Sequence, residues 1–228
     1  MKIVIATIKS WNIENARKFM KKYSDEHDVF LIEKKEDLNL IILKELNPDY
    51  IFFPHWSYMI PSNIFEKYCC VVFHMTDLPF GRGGSPLQNL IVRGLKETKI
   101  SALRVTKEVD AGPVYMKEKL ELSGSAEEIF KRCSNVIFEK MIPTFLKQKL
   151  VPVEQQGEAI SFVRRKPEES QLKEEMSVEK IYDYIRMLDA EGYPNAYIDF
   201  GKYRLSFQNA KLENGQVSAE VRFVEVEK

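Results

Sequence analysis

The sequence predicts an α/β protein: a mostly parallel sheet flanked by helices, followed by a small β-rich part. Three observations predict it. Near-continuous apolar, β-branched runs such as Ile3 to Ile8 fit strands buried on both faces. These runs alternate with helix-patterned segments as far as Val114, and strands separated by helices pair in parallel through right-handed crossovers. After a polar stretch ending at Met176 the pattern changes to one helix and then short strand-like segments.

Taken in order, Lys2 to Ile8 is the opening strand, and Asn12 to Tyr23 is a helix with Ala16, Phe19 and Met20 on its inner face. Val29 to Ile32 is a strand, Asp37 to Leu46 a helix ended by Pro48, and Asp49 to Phe53 a strand. Pro54 to Pro61 is a loop rich in aromatics, which is more often a packing cap than a ligand wall, though it too leaves the carboxyl end of a strand. Pro61 to Tyr68 is a short helix, Cys69 to Phe73 a strand, Ser85 to Gly94 a helix with glycine as its stop, and Ile100 to Val105 a strand.

Ser125 with Glu128 forms a capping-box pattern ahead of an amphipathic helix whose stripe is Ala126, Ile129, Phe130, Cys133, Val136, Ile137 and Met141. Pro143 ends or kinks that helix, which fades out by Leu150. From Val151 to Met176 the chain is charged and punctuated by Gly157 and Pro167, with a strand around Ala159 to Val163. Ser177 then caps a helix with Val178, Ile181, Tyr182, Ile185 and Leu188 on its apolar face. Strand-like segments follow at Ala196 to Phe200, Tyr203 to Leu212 and Val217 to Val226. The expected organisation is a catalytic domain over 1–150, a linker over 151–176 and a small domain over 177–228.

Lysine plus arginine and aspartate plus glutamate both number 34, so no basic surplus advertises a polyanionic partner. The densest basic cluster, Arg164-Arg165-Lys166, has acids close behind it. The cysteines are Cys69, Cys70 and Cys133, an odd number without zinc-ligand spacing, and they read as buried thiols of a reducing compartment. The N-terminal apolar run is too short for a signal h-region or a membrane span, which predicts a soluble cytoplasmic protein.

The chemistry-bearing stretch is Val72-Phe73-His74-Met75-Thr76-Asp77-Leu78-Pro79-Phe80-Gly81-Arg82-Gly83-Gly84-Ser85-Pro86, echoed by Asp110-Ala111-Gly112-Pro113. A lone histidine is more often a satisfied core residue, but the position of this one argues otherwise. Its position at a strand exit is where open α/β sheets bind ligands, and Asp110 follows another strand. A carboxylate beside an imidazole fixes its tautomer and stabilises its protonated form, which suits proton transfer or polarisation of a carbonyl. Gly81, Gly83 and Gly84 serve a tight turn as readily as a phosphate cradle, and no dinucleotide fingerprint accompanies them.

The His-x-Thr-x-Leu-Pro, Arg-Gly-Gly-x-Pro and Asp-x-Gly blocks, in this order, resemble the formyltransferase family. That resemblance implies a Rossmann-like fold and transfer of a formyl group from 10-formyltetrahydrofolate to an amine, without a metal. It also implies His74 and Asp110 as catalytic residues. The folate would lie against Tyr58, Met59, Ile60, Thr76, Asp77, Leu78 and Pro79, with a contact role for His55 and with Arg82 and Gly83 facing the acceptor. Where the family carries a catalytic asparagine two residues before the histidine, this chain has Val72. Residues i and i+2 of a strand share a face, so position 72 is where a side-chain donor would aim at the formyl oxygen, and such a loss typically costs ~10²–10³ in rate. Asn63 and Asn89 are alternative donors.

Ile185-Arg186-Met187-Leu188 ahead of Tyr193-Pro194-Asn195-Ala196 resembles the start of the C-terminal β-barrel domain of methionyl-tRNA formyltransferases. The barrel is expected to be truncated, and the N-terminal half to lack a strand–helix unit. The truncation and the balanced charge favour a small, nucleotide-linked amino sugar as acceptor. Methionyl-tRNA is the alternative, with tRNA as partner. A non-catalytic folate-binding relative, suggested by Val72, is a further alternative.

Overall fold

The computed structural model describes residues 1–226; Glu227 and Lys228, the end of the expected small domain, lie outside the described residues. The chain opens β1 (Lys2–Ala6), α1 (Ser10–Tyr23), β2 (Asp28–Ile32), α2 (Leu40–Leu46), β3 (Tyr50–Phe53), α3 (Ser62–Phe65) and β4 (Cys70–His74). It continues with β5 (Phe80–Gly83), α4 (Pro86–Val92), β6 (Glu97–Arg104), β7 (Val114–Glu121), α5 (Ala126–Val136) and α6 (Ile142–Lys147). The last elements are β8 (Ile160–Phe162), α7 (Val178–Arg186), β9 (Ala196–Phe200), β10 (Tyr203–Glu213) and β11 (Gln216–Glu225).

The main sheet has six strands in the order β2-β1-β3-β4-β6-β7. Its first four strands are parallel neighbours, because each is reached by a helical crossover. The predicted βαβαβ opening is therefore present. β6 pairs antiparallel with β4, setting Leu103 against Val72 and Ser101 against His74. The sheet is mixed at that edge, and the consequence is functional. His74 ends β4, while the loop that leaves β6 starts from the other end of the β4–β6 ladder and must return to reach it.

Ile3, Val4, Ile5, Ile51 and Phe52 are fully enclosed, as strands covered on both faces require. Phe52 meets Phe145 of α6 edge-on at 5.2 Å and Phe73 at 6.1 Å between ring centres. Several elements differ from the sequence expectation. The second helix starts at Leu40, because the Asn39 side chain accepts from the Ile41 and Ile42 amides at 3.0 and 3.1 Å and ends the extended entry there. As the sequence suggests, helix runs on past Pro143, to Lys147, with a π-helical turn over Ile137–Met141 absorbing the missing amide. β5 and β7 were not expected: β5 is glycine-rich, and β7 carries Lys117, Glu118, Lys119 and Glu121, which hides any strand periodicity. The capping box forms as read, Ser125 and Glu128 exchanging bonds of 2.8 and 3.3 Å.

The chain divides into two compact units, each discontinuous in sequence. The first contains Met1–Gly83, Lys99–Leu120 and Lys131–Ser161. The second contains Gly84–Thr98, Glu121–Phe130 and the described residues from Phe162 onward. Within the second, the antiparallel sheet β11-β10-β9 places Leu205 and Phe207 opposite Phe223 and Val221. Its buried cation is Arg186, 4% exposed, whose Nη1 donates to the carbonyls of Leu122 and Gly124 at 2.6 and 2.9 Å while Nε donates to Asp183 at 2.7 Å. Arg186→Ala leaves one buried carbonyl, one partly buried carbonyl and a partly buried carboxylate without that donor. It should cost about 2–4 kcal/mol in a urea unfolding titration, far more than the exposed Arg17→Ala.

Candidate active site

His74 closes β4 and is 9% exposed. Its Nε2 lies 2.7 Å from the Gly81 carbonyl oxygen, and its Nδ1 lies 3.4 Å from Asp110 Oδ2. The same carboxylate oxygen accepts the Gly83 amide at 2.9 Å. A loop leaving β4 and a loop leaving β6 are thus joined through one aspartate. With Nε2–H given to a carbonyl, the contact between Nδ1 and the carboxylate becomes a hydrogen bond when Nδ1 also carries a proton. Such a pair can stabilise an imidazolium formed during a proton transfer.

Backbone geometry explains the motif residues. Asp110 sits in the left-handed region at φ 54°, which aspartate tolerates better than most side chains. Gly81 and Gly83 have φ of 81° and 99°, so the turn does need them. A Cβ on Gly112 would stand 1.9 Å from the Arg104 carbonyl oxygen. The Asp-x-Gly spacing is therefore a packing requirement, since the chain returns across the end of β6 with no room for a side chain. Arg104 N–H donates to the Pro113 carbonyl at 2.9 Å and closes this turn.

The stretch after His74 divides between buried and tethered residues. Thr76 is fully buried; its hydroxyl donates to the Gly81 carbonyl at 3.3 Å and its own carbonyl accepts from Ser101 at 2.7 Å. Leu78 is 2% exposed. Asp77 pairs with Lys99 at 2.9 Å and with Lys117 at 2.5 Å. Burial pushes its carboxyl upward, but the hydrogen bonds and charges of Lys117 and Lys99 outweigh this and hold it below the ordinary aspartate value. The Pro79 carbonyl accepts from Ile160 at 3.3 Å.

In the aromatic loop Tyr58 and Met59 are exposed. Ile60 packs with Val72 against the core of Ile51, Phe53 and Cys70. Tyr58 lies edge-on to Trp56 at 5.4 Å with the Lys35 ammonium 5.1 Å above its ring. His55 takes φ 52°, and burial, reinforced by Lys9, lowers its pKa to about 4.

Of the expected residues, His74, Asp110, Gly83 and Thr76 meet around the Gly81 carbonyl and the Asp110 carboxylate. Val72 contributes a half-buried aliphatic surface and no donor. Asn89 spends its amide on the carbonyls of Gly84, Ser85 and Val163. Asn63 lies exposed on α3. Two participants had no signal in the sequence. Lys117 comes from an unrecognised strand, and Gln155 comes from the stretch read as linker, where its carboxamide meets Arg82, Asp110 and Gly112. Among the described residues no group of three or more His, Cys, Asp or Glu side chains is placed to hold a metal ion, and no helix is long and apolar enough to cross a membrane.

A family model described as formyl transferase matches residues 14–139, and one described as the C-terminal domain of methionyl-tRNA formyltransferase matches residues 167–224. A methionyl-tRNA formyltransferase of Rickettsia felis is 27% identical over 188 residues, which are 80% of this chain and 61% of the relative. The chain thus spans about 61% of the length of that curated relative. A structure titled methionyl-tRNA formyltransferase from Clostridium thermocellum matches with a TM-score of 0.98 at 55% identity, covering 99% of this chain and 100% of its own. HypX from Aquifex aeolicus in complex with tetrahydrofolic acid has a TM-score of 0.75 at 19% identity, over 93% of this chain and 38% of its own, and shares the fold.

Two predictions follow from the site's construction. Gly112→Ala should lower stability by about 2 kcal/mol or more in a urea titration, because the clash is with backbone and not with a movable side-chain end. His55 contributes a pH dependence of its own. Its folded pKa lies below the unfolded value, so between about 6.5 and about 4 the unfolded chain binds a proton that the folded chain does not. Stability should therefore fall as pH drops through that window, by about 2–3 kcal/mol at most, and His55→Gln should flatten the slope measured by thermal unfolding at several pH values.

Proposed function

This chain belongs to the formyl transferase family, and we propose that it transfers the formyl group of 10-formyltetrahydrofolate to the amino group of methionyl-tRNA. The observation that carries the reaction is the coupling of His74 and Asp110 at the end of β4, two residues that the family motifs single out. The acceptor rests on the relatives of Rickettsia felis and Clostridium thermocellum, which bear that activity in their names, and on the match to a methionyl-tRNA formyltransferase C-terminal domain over 167–224. Such a reaction belongs to the cytoplasm. A small amino sugar linked to a nucleotide is the second reading, favoured by the balance of 34 basic against 34 acidic residues.

In this mechanism the neutral amine attacks the formyl carbon, a C–N bond forms, and the carbonyl oxygen gains negative charge. His74 presents Nε2–H to that oxygen, exchanging its bond with the Gly81 carbonyl for one to the substrate. The exchange leaves no orphan, because the Thr76 hydroxyl also donates to the Gly81 carbonyl. Asp110 faces Nδ1 and stabilises the ring while it is positively charged. The tetrahedral adduct then expels N10 of tetrahydrofolate, and the proton lost by the amine passes through His74 and water to that nitrogen. Val72 supplies no second donor to the oxyanion, so His74 carries more of the stabilisation than it would beside an amide side chain.

The test is transfer of labelled formyl from 10-formyltetrahydrofolate to methionyl-tRNA and to amino sugar nucleotides, with wild type and variants. Wild type is expected to formylate methionyl-tRNA. His74→Ala and Asp110→Asn should each lower kcat by ~10²–10⁴ with little change in folate KM, and the double variant should be scarcely worse than either. Val72→Asn should fold and leave kcat at or above the wild-type value. Equal, measurable rates for wild type and His74→Ala would leave His74 a structural histidine, and folate binding without transfer to any amine would assign the protein to folate binding alone. Labelling confined to the sugar nucleotides would move the acceptor to the second reading.

A further inference from the structure

We propose that Gln155 is a positioning residue that ties the Arg82 guanidinium to the main chain of the Asp110 loop. One carboxamide would then hold both the cation on the acceptor side and the turn that aims the catalytic carboxylate. This rests on the formyl-transfer reading, which gives Asp110 its role.

The geometry is complete in hydrogen-bonding terms. A carboxamide offers two N–H donors and two lone pairs on oxygen. Gln155 Oε1 accepts from Arg82 Nε at 3.1 Å and from Nη2 at 2.8 Å. Its Nε2 donates to the carbonyls of Asp110 at 2.8 Å and Gly112 at 2.9 Å. Every valence of the group is used within the unit. The two carbonyls flank the turn that Asp110 enters at φ 54° and that Gly112 closes against Arg104. Gln155 therefore braces a backbone conformation that is uncommon for a residue with a Cβ.

The brace is itself anchored. Val153 and Val114 exchange backbone hydrogen bonds of 2.8 and 2.9 Å, so the segment carrying Gln155 is pinned to the start of β7, just beyond Asp110-Ala111-Gly112-Pro113. On the other side, Arg82 has spent Nε and Nη2 on Gln155. Its remaining Nη1 lies 3.8 Å from Glu108, a carboxylate that is 80% exposed. That open edge is where an anionic group of an acceptor would displace Glu108.

The two halves of the carboxamide can be separated by substitution. Gln155→Glu keeps the shape and the Arg82 contact but sets a carboxylate against the two carbonyls it no longer donates to. Gln155→Ala removes both halves, and Arg82→Ala removes the arginine half alone. The experiment measures initial rates against pH with 10-formyltetrahydrofolate and each acceptor for these variants, wild type and His74→Ala. Amide exchange over residues 80–84 and 105–113 is followed by mass spectrometry in parallel.

Gln155→Glu is expected to lower kcat by roughly 10–100-fold and to shift the pH profile, with folate and acceptor KM within about threefold of wild type. Gln155→Ala should lower kcat similarly and also raise acceptor KM, whereas Arg82→Ala should raise acceptor KM alone. Exchange over 105–113 should quicken in both Gln155 variants. Adding Gln155→Glu to Asp110→Asn should cause little further loss. If Gln155→Glu does not fold, Gln155→Met, of similar length and without donors, takes its place.

Wild-type kcat, pH profile and exchange in Gln155→Glu, with His74→Ala inactive, would overturn the role of Gln155 and leave formyl transfer standing. An active His74→Ala would remove formyl transfer through this site, and unchanged exchange would then independently reject the brace.

Discussion

The Asp110 carboxylate is the constraint on which the site depends. It takes the Gly83 amide and faces the His74 ring, so it joins the glycine turn that follows β4 to the loop that follows β6. Because β4 and β6 are antiparallel, those loops do not leave the sheet side by side, and the β6 loop must double back. That return accounts for the left-handed backbone at Asp110 and for the contact that admits only glycine at 112. Strain of this kind persists where surrounding bonds over-determine it, and here the carboxylate, the Gly81 carbonyl and the Gln155 carboxamide do so.

Charge is handled differently on the two sides of His74. Asp77, three residues downstream, is neutralised by lysines from β6 and β7, which fixes the stretch from Thr76 to Pro79 to the sheet. Among the described residues no lysine or arginine pairs with the Asp110 carboxylate; an imidazole and a backbone amide face it instead. A permanent cation there would compete with the imidazolium for the carboxylate. The partition suits a structural acid in one place and an acid that stabilises a transient cation in the other.

Val72 gives the family membership a chemical edge. Its side chain packs with Ile60 on the apolar cluster of Ile51, Phe53 and Cys70, so the face of β4 that reaches His74 is aliphatic up to the histidine. An aliphatic neighbour excludes water and strengthens the hydrogen bonds that remain, at the expense of a second donor to the oxyanion.

The sequence by itself determined the parallel opening, because buried parallel strands must be apolar along their whole length and their crossover helices must be amphipathic. The His-x-Thr-x-Leu-Pro, Arg-Gly-Gly-x-Pro and Asp-x-Gly blocks carried the resemblance to the family, which implied His74 and Asp110 together, and the folded chain sets them 3.4 Å apart. Short-range rules likewise delivered the capping box at Ser125 and the β9 boundaries. Only the tertiary structure decided that β6 runs antiparallel to β4, that charged β7 is a strand, and that Lys117 and Gln155 belong to the site. Those residues act through partners some 40 positions or more away, and a hydrogen bond between distant side chains leaves no period, cap or turn signature in either stretch of sequence.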